Sequence, residues 1–336
     1  MDLTADKEPG RDPIPADAHA FLASAGWGGA EISPLAGDAS FRRYFRVNGP
    51  RGSAMLMDAP PPHEDPKPFL RAAKWLDDNG MRAPRILAEN AARGLVLLED
   101  FGEVRMREYI DAWPADESEI YEHAVDALVR LHKLPPGPFT AYGLSEYLRE
   151  ARLLVEWWAP AQGLTVDAAG WDAAWQDVLA PLLGRQRPGV TVLRDYHAEN
   201  IMLLGGLATQ GLLDFQDALV GHRAYDLVSL LQDARRDVSP ELEERMIGHY
   251  LARVGELPEF RADYARLGAQ RNAKIVGIFI RLWKRDGKPR YLDLIPRVWA
   301  LLERDLAHPA LAPVARWLEA NVPAELRHSG GGSYAG

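Results

Sequence analysis

The chain reads Leu193-Arg194-Asp195-Tyr196-His197-Ala198-Glu199-Asn200 and, after a short interval, Leu213-Asp214-Phe215. An aspartate, an asparagine five residues later and a second aspartate beyond the next strand form the pattern of a phosphoryl-transfer site. Carboxylate and amide oxygens hold Mg²⁺ against the phosphates of ATP, and one carboxylate must stay off the metal to align the acceptor hydroxyl. We therefore predict that Asp195 is catalytic and that Asn200 and Asp214 bind the metal.

The flanking residues strengthen this interpretation, because an acid followed by an amide is by itself a common surface turn. Apolar runs at 190–193, 201–204 and 211–213 predict a strand that enters the loop, a strand that leaves it and a strand that delivers Asp214. We expect Asp226, at the start of an apolar helical pattern, to be structural and to lie near this loop.

Length and composition predict a soluble globular protein. The chain has 336 residues, of which 47% are hydrophobic and 26% charged, and this length usually gives about two domains. Its 48 acidic and 39 basic residues give a net charge of -9, so a nucleic-acid partner is not expected. The chain has no cysteine, which excludes disulfides, thiolate metal sites and cysteine nucleophiles.

The sequence predicts neither a secretory leader nor a membrane-spanning segment. Residues 1–15 are polar and acidic without an apolar core, and no apolar run reaches the length needed to cross a bilayer. We therefore expect a cytoplasmic monomer without a membrane partner.

The character of the sequence changes after about residue 100. The earlier residues read mainly as strands, and the later ones show helical periodicity, including patterns at 224–236 and 260–283. A small β-rich N-lobe and a larger helical C-lobe together predict an α+β, bilobal protein-kinase-like fold. The predicted parts are a flexible arm at 1–14, a nucleotide-binding N-lobe at 15–99, a C-lobe with the catalytic loop, metal and acceptor site at 100–328, and a flexible tail at 329–336.

Candidate nucleotide-binding residues lie in the predicted N-lobe. A turn of small residues after the first strand lets backbone N–H groups approach phosphates. In the next strand the period of two places Arg43 on the face of Phe45 and Val47, where it either meets ATP phosphates or remains exposed at an edge. The apolar strand 95–98, which ends in an acid, is typical of a kinase hinge. The predicted nucleotide contacts are Gly37, Asp38, Ala39, Ser40, Arg43, Glu99 and Phe101.

Candidate acceptor-binding residues are His197, Asp217, Trp157 and Arg285. His197 lies inside the catalytic loop, and Asp217 is either an auxiliary ligand or an acceptor-binding acid. Trp157 belongs to a tryptophan pair that either stacks on a sugar ring or packs in the core. Arg285 lies in a basic cluster that either attracts a carboxylate or forms a solvated helix end.

With these motifs in place, the chain resembles the aminoglycoside phosphotransferase and choline kinase branch of the protein-kinase-like fold. Residues 127–135 look like the helix end before that branch's insert, and residues 221–227 look like the stretch after its metal strand. Narrower similarity to the bacterial anomeric N-acetylmuramate/N-acetylglucosamine kinases lies at 37–47, 57–61, 214–217, 225–231 and 285–288. The resemblance implies a kinase that uses ATP and Mg²⁺ to phosphorylate the anomeric hydroxyl of a small amino sugar in peptidoglycan recycling.

Two positions depart from the general kinase pattern. Met57 stands where the third strand usually carries a phosphate-binding lysine, and Arg43 is the substitute that we predict. Gln216 replaces the glycine that usually follows Asp-Phe, which argues against a mobile activation segment.

Two other functions stay open on the sequence. An aminoglycoside, choline or other metabolite kinase would need a strongly acidic pocket for its cationic acceptor. A nucleotide-binding pseudokinase is favoured by the missing lysine and disfavoured by the intact Asp195, Asn200 and Asp214.

Overall fold

The computed structural model describes residues 13–35, 42–255 and 257–327. The chain forms two compact units, the first made of Met1–Val104 and Met202–Asp217 and the second of Arg105–Ile201 and Ala218–Gly336. The first unit contains an antiparallel sheet and the second is mainly helical, in agreement with the predicted change of character near residue 100.

The described residues contain nine strands. They are β1 (Glu31–Pro34), β2 (Arg43–Gly49), β3 (Gly52–Asp58), β4 (Ile86–Asn90), β5 (Leu95–Glu99), β6 (Val190–Val192), β7 (Ile201–Leu203), β8 (Gln210–Leu212) and β9 (Leu219–Gly221). The first five make one sheet in the order β1-β2-β3-β5-β4, while β6 pairs with β9 and β7 pairs with β8.

Thirteen α-helices lie in the same described ranges. They are α1 (Ala18–Ser24), α2 (Lys67–Asp78), α3 (Met106–Ala112), α4 (Glu117–Lys133), α5 (Leu144–Leu153), α6 (Ala159–Ala161), α7 (Ala168–Arg185), α8 (Ala224–Leu231), α9 (Pro240–Val254), α10 (Phe260–Asp286), α11 (Ile295–Leu306), α12 (Ala312–Asn321) and α13 (Ala324–Arg327). A π-helical segment spans Leu154–Trp158, and 3₁₀ turns span Pro114–Asp116, Ala198–Asn200, Pro289–Leu294 and Pro309–Leu311.

The core of the first unit lies on one face of the five-stranded sheet. Phe45 and Val47 of β2 are fully buried there, as the period-two pattern predicts, and belong to one core cluster with Leu56 of β3 and Leu97 of β5. Because β2 pairs with both β1 and β3, both of its edges are hydrogen-bonded, and the register sets the positions of the arginines along it.

The β7–β8 hairpin belongs to the first unit, although the sequence-based boundaries place residues 202–217 in the C-lobe. The backbone N–H of Leu203 donates to Val104 O and that of Leu212 donates to Arg82 O, both at 2.8 Å. The Phe215 ring stacks on Phe69 of α2 with ring centroids 5.1 Å apart. These backbone hydrogen bonds and the aromatic contact assign the segment to the first unit. Its position in the sequence alone does not predict this.

The second unit is organised around α10, a helix of 27 residues and about 40 Å. Gln270, Arg271, Asn272 and Lys274 are all buried in its middle. A helix that buries polar side chains must give them partners. The middle of α10 therefore carries a group of buried polar side chains that must pair within the second unit.

One predicted helix is shorter than expected. The pattern at 224–236 predicts a single helix, but α8 ends at Leu231 and the residues from Gln232 to Asp237 form a turn before α9. The periodicity is misleading here, because Gln232, Asp233 and Ala234 are buried although they lie outside a helix. Within the described residues, no helix is both long and apolar enough to cross a membrane.

Candidate active site

The loop between β6 and β7 is fixed by a buried carboxylate. Asp226 of α8 is fully buried, and its Oδ2 and Oδ1 accept the backbone N–H groups of Leu193 and Arg194 at 2.6 and 2.8 Å. Burial raises the pKa of Asp226 to about 7, although the two backbone bonds act in the opposite direction. Asp226 is thus the structural residue near the loop that the sequence predicts.

A buried ionic cluster lies beneath the same loop. The Glu150 carboxylate is 1% exposed and pairs with the Arg194 guanidinium and, at 3.0 Å, with Lys274 Nζ, while the Tyr142 hydroxyl donates to it. Burial by itself would raise the pKa of Glu150, but the charges of Lys274 and Arg194 outweigh it and the pKa is lowered. The cluster therefore remains ionised and ties α5 and α10 to Arg194, whose φ is 74°.

Asp195 projects from this fixed loop and keeps contact with solvent. Its side chain is 40% exposed, and Nη2 of Arg271 lies 3.8 Å from its Oδ1. Burial of the carboxyl opposes ionisation, but the charges of Arg271 and Lys274 outweigh it and lower the pKa of Asp195. The carboxylate is therefore charged and accessible, which is the state needed to align a hydroxyl and accept its proton.

Arg271 is itself positioned by the loop. Its Nη2 donates to Ser229 Oγ at 2.7 Å, and Ser229 Oγ donates to Arg194 O at 3.0 Å. This chain of bonds connects α10 and α8 to the loop residue next to Asp195. Arg271 is not among the site residues predicted from the sequence, because an arginine in a helical pattern usually indicates an exposed face.

Asn200 closes the loop through its amide. Nδ2 of Asn200 donates to Asp195 O at 2.9 Å and lies 3.3 Å from His197 Nε2. This orientation makes Oδ1 the atom that Asn200 would offer to a metal. In the described part of the chain, no group of three or more His, Cys, Asp or Glu could hold a metal.

His197 is held inside the loop with a defined tautomer. Its Nε2 faces two donors, Asn200 Nδ2 at 3.3 Å and Arg235 Nη1 at 3.5 Å. Nε2 is therefore the acceptor, and the ring proton lies on Nδ1. Burial lowers the pKa of His197, and the charge of Asp233 only partly offsets that effect.

Asp214 follows β8 in the first unit. It is exposed, has a φ of 58°, and its Oδ1 accepts from Gln216 Nε2 at 2.7 Å. Burial raises the pKa of Tyr44, and the negative charge of Asp214 adds to this rise. The same charge acts on Arg42, which directly precedes β2, so Asp214 lies near Arg42 and Tyr44.

The neighbouring arginine of β2 has a different partner. Arg43 Nε donates to Asp58 Oδ2 at 3.0 Å across the β2–β3 pair, and its Nη1 donates to Pro13 O at 3.0 Å. The predicted phosphate-binding role of Arg43 would require a nucleotide to compete with Asp58. Of the two arginines, Arg42 is the one near Asp214.

The other predicted nucleotide contacts lie at the end of β5 or outside the described residues. The Glu99 side chain accepts from Arg82 at 2.5 Å, and this bond lowers the pKa of Glu99 to about 2. The guanidinium of Arg82 lies over the Phe101 ring, 4.7 Å from its centroid. The main-chain roles of Glu99 and Phe101 remain predictions, and residues 37–40 fall outside the described ranges.

The predicted acceptor residues are dispersed. Trp157 is half-buried in the π-helical segment, beside Trp158, which stacks on Trp299. Arg285 pairs with Asp286 at 2.7 Å and follows Arg271 by fourteen residues of α10, or about 21 Å along the helix, so it lies far from Asp195. Asp217 is exposed at the end of the first unit. His197 is the one that lies in the loop of Asp195.

A model of the phosphotransferase enzyme family matches residues 31–268 of the chain. An N-acetylmuramate/N-acetylglucosamine kinase from Caulobacter vibrioides is 38% identical, over 92% of this chain and 96% of that protein. A kinase of the same name from Pseudomonas aeruginosa is also 38% identical, over 89% of this chain and 91% of that protein.

Solved structures show the same fold at low sequence identity. Choline kinase LicA from Streptococcus pneumoniae has a TM-score of 0.61 at 11% identity, covering 88% of this chain and 98% of its own. Aminoglycoside phosphotransferase APH(3'')-Id from Streptomyces rimosus, in complex with ADP and streptomycin, has a TM-score of 0.54 at 20% identity. The match covers 78% of this chain and 99% of that chain. The predicted protein-kinase-like α+β fold is thereby confirmed. Because the family model and the relatives each span most of its length, the chain belongs to the phosphotransferase enzyme family.

Proposed function

We propose that this chain is an ATP-dependent N-acetylmuramate/N-acetylglucosamine kinase that phosphorylates the anomeric hydroxyl, a step in peptidoglycan recycling. The observation that carries the proposal is the accessible carboxylate of Asp195, 3.8 Å from Arg271, on a loop held by Asp226 and Glu150. The relatives named as kinases of these two sugars support the choice of acceptor.

In this mechanism Asp195 acts on the acceptor. Its carboxylate accepts a hydrogen bond from the anomeric hydroxyl and aligns the oxygen with the γ-phosphorus of ATP. As the new O–P bond forms and the bond to the β-phosphate oxygen breaks, the hydroxyl proton passes to Asp195 and ADP leaves. Arg271 and Lys274 keep the carboxylate charged until that moment.

For the nucleotide, we propose Asn200 Oδ1 and the Asp214 carboxylate as ligands of Mg²⁺. Both are hard oxygen donors of the kind that Mg²⁺ prefers, and the bond from Asn200 Nδ2 to Asp195 O already orients the amide. The metal would neutralise phosphate charge. Arg42, which pairs with Glu64 at 3.4 Å and also feels the charge of Asp214, is a better candidate than Arg43 for the missing third-strand lysine, because Arg43 makes two donor contacts to Asp58.

The charges around Asp195 favour a neutral or anionic acceptor. Arg271 lies 3.8 Å from its carboxylate, and this guanidinium would repel a cationic aminoglycoside or choline. An amino sugar with an acetylated nitrogen carries no such charge. We further propose that the enzyme acts as a monomer in the cytoplasm, where ATP is available.

An acceptor panel tests the proposal. ADP release is measured with purified protein and Mg²⁺-ATP in the presence of N-acetylmuramate, N-acetylglucosamine, kanamycin, choline or no acceptor. We expect turnover with the two N-acetylated sugars well above the rate without acceptor. Turnover with kanamycin or choline alone would replace the proposal with another metabolite kinase, and nucleotide binding without turnover on any acceptor would indicate a pseudokinase.

Asp214→Ala is expected to weaken binding of Mg²⁺-ATP by about tenfold or more, the loss of one charged metal ligand. Titration calorimetry gives the dissociation constant with Mg²⁺ and, as a control, with EDTA in place of the metal. The difference between variant and wild type should disappear in EDTA. Wild-type affinity in the presence of Mg²⁺ would remove Asp214 from the metal site.

Arg271→Met is expected to move the acidic limb of the kcat profile to higher pH. Asp195 must be ionised to accept a proton, and loss of the nearby cation raises its pKa from the lowered value. Turnover is measured from pH 5 to 9 with saturating substrates, with Arg271→Lys as the conservative variant. Arg261→Met, an exposed arginine of the same helix paired with Glu244, serves as the control and should leave the profile unchanged. An unshifted acidic limb in Arg271→Met would contradict the role of Arg271.

A further inference from the structure

Two buried polar atoms near Asp195 lack a partner. Nδ1 of His197 and Oδ2 of Asp233 make no hydrogen bond with any residue that the structure describes, although the two side chains are only 5% and 2% exposed. Leaving a polar atom buried and unpaired costs about 1–3 kcal/mol. Unpaired atoms of this kind commonly belong to a site that a ligand or a water completes.

The two atoms have opposite and defined hydrogen-bonding characters. Since Nε2 of His197 faces the donors Asn200 Nδ2 and Arg235 Nη1, Nδ1 carries the proton and is a donor. Oδ1 of Asp233 accepts the backbone N–H of Arg235 at 2.8 Å. That bond fixes the carboxylate and leaves Oδ2 as an acceptor. They do not bond to each other, so a third group that both donates and accepts would satisfy both.

The pair lies next to the predicted point of phosphoryl transfer. His197 follows Asp195 by two residues, so their Cα atoms are at most about 7 Å apart. The charges of both Asp233 and Asp195 act on the His197 ring, which places it close to both acids. If Asp195 aligns the anomeric hydroxyl at C1, the substituent at C2 is the group that lies one carbon away.

We propose that Asp233 Oδ2 and His197 Nδ1–H bind the N–H and the C=O of the acceptor's 2-acetamido group. A secondary amide offers one donor and one acceptor, which matches the unpaired atoms, whereas an ammonium offers donors alone. This inference rests on the proposed function and identifies the residues that recognise the N-acetyl group. Both atoms are closed to solvent, so binding includes a side-chain movement in the turn 232–237, which lies outside the helices.

Asp233→Asn is the sharpest test, because it preserves the shape of the side chain. The introduced asparagine would keep its Oδ1 on the Arg235 N–H, and its Nδ2 would then occupy the former position of Oδ2. There the N–H of the side chain would face the N–H of the acetamide, and two donors cannot bond to each other. We expect kcat/KM for N-acetylglucosamine to fall about 10- to 100-fold, as for a lost bond to a charged group. The value for 2-deoxyglucose, which lacks the acetamide, should change less than about threefold.

The measurement is ADP release with both sugars, together with the dissociation constant of Mg²⁺-ATP, which should not change. Asp237→Asn is the matched control, since this aspartate of the same turn is 82% exposed and pairs with Arg297. His197→Asn, which retains a donor near the position of Nδ1, should lose less activity toward N-acetylglucosamine than His197→Leu.

Three outcomes would overturn the inference. They are an unchanged kcat/KM in Asp233→Asn, an equal fall for both sugars, and an equal loss in the two His197 variants. The first would leave a bridging water as the partner of both atoms. Failure of the proposed function is recognised separately, because the wild-type enzyme would then show no turnover of N-acetylglucosamine.

Discussion

Asp195→Asn is expected to lower kcat by about 10²- to 10⁴-fold, the range for loss of a proton-accepting group. Asparagine has nearly the same shape but cannot take the proton, and its Nδ2 would present a donor to the acceptor hydroxyl. The carboxylate is ionised in the wild type because Arg271 and Lys274 outweigh its partial burial. The substitution therefore removes a charge that the surrounding residues are arranged to keep.

The measurement separates this chemical effect from nucleotide binding. Steady-state turnover of N-acetylglucosamine is compared with the dissociation constant of Mg²⁺-ATP, and the latter should stay within about twofold of wild type. Asp237→Asn provides a control for removal of an exposed carboxylate in the same unit. Turnover of Asp195→Asn at the wild-type rate would exclude Asp195 from the mechanism.

Glu150→Ala is expected to destabilise the protein by about 3–5 kcal/mol, the cost of breaking a buried ion pair by removing one partner. The variant leaves the positive charges of Arg194 and Lys274 together in the interior without the Glu150 carboxylate between them. Arg194 also lies beside Asp195, so the catalytic loop should loosen and kcat should fall as well.

The pH dependence of this effect has a defined sign. Folding lowers the pKa of Glu150 below its ordinary value of 4.5, so the carboxylate contributes stability that is present above that value. The contribution is lost as the pH falls through the lowered pKa of the folded protein. The difference in the free energy of unfolding between wild type and Glu150→Ala should therefore be largest at pH 7 and should decrease at acidic pH.

Urea denaturation, followed by tryptophan fluorescence and circular dichroism, measures the loss of folding stability in Glu150→Ala. Glu146→Ala is the matched control, because Glu146 lies on the same helix in a more exposed pair with Arg149, and a surface pair is worth at most about 1 kcal/mol. If the two variants were equally stable, the buried cluster would not be a structural support of the loop.

Several features follow directly from sequence pattern because they depend on local order. The alternation of Phe45 and Val47 identifies the buried face of β2, and the spacing of Asp195 and Asn200 is set by one short loop whose ends are apolar strands. The family resemblance was carried by the same short stretches and is confirmed by relatives that span most of the chain.

Other features depend on packing, which a local sequence pattern does not record. Arg43 satisfies the period-two pattern, but the β2–β3 register places Asp58 opposite it. The helical pattern at 224–236 hides the turn that carries Asp233, since Gln232, Asp233 and Ala234 are buried there without being helical. Arg285 is a predicted acceptor contact, and fourteen residues of α10, or about 21 Å, separate it from Arg271.

The sequence alone determined which chemical groups the protein has for phosphoryl transfer, because spacing within a loop is fixed by covalent geometry. Only the tertiary structure decided that Asp195 is charged and that His197 and Asp233 are left unpaired beside it. Both results depend on side chains from α5, α8 and α10 that are far apart in the chain and meet only when the second unit packs. The free energy of that packing depends on contacts between residues that are distant in sequence, so a local stretch of sequence cannot predict it.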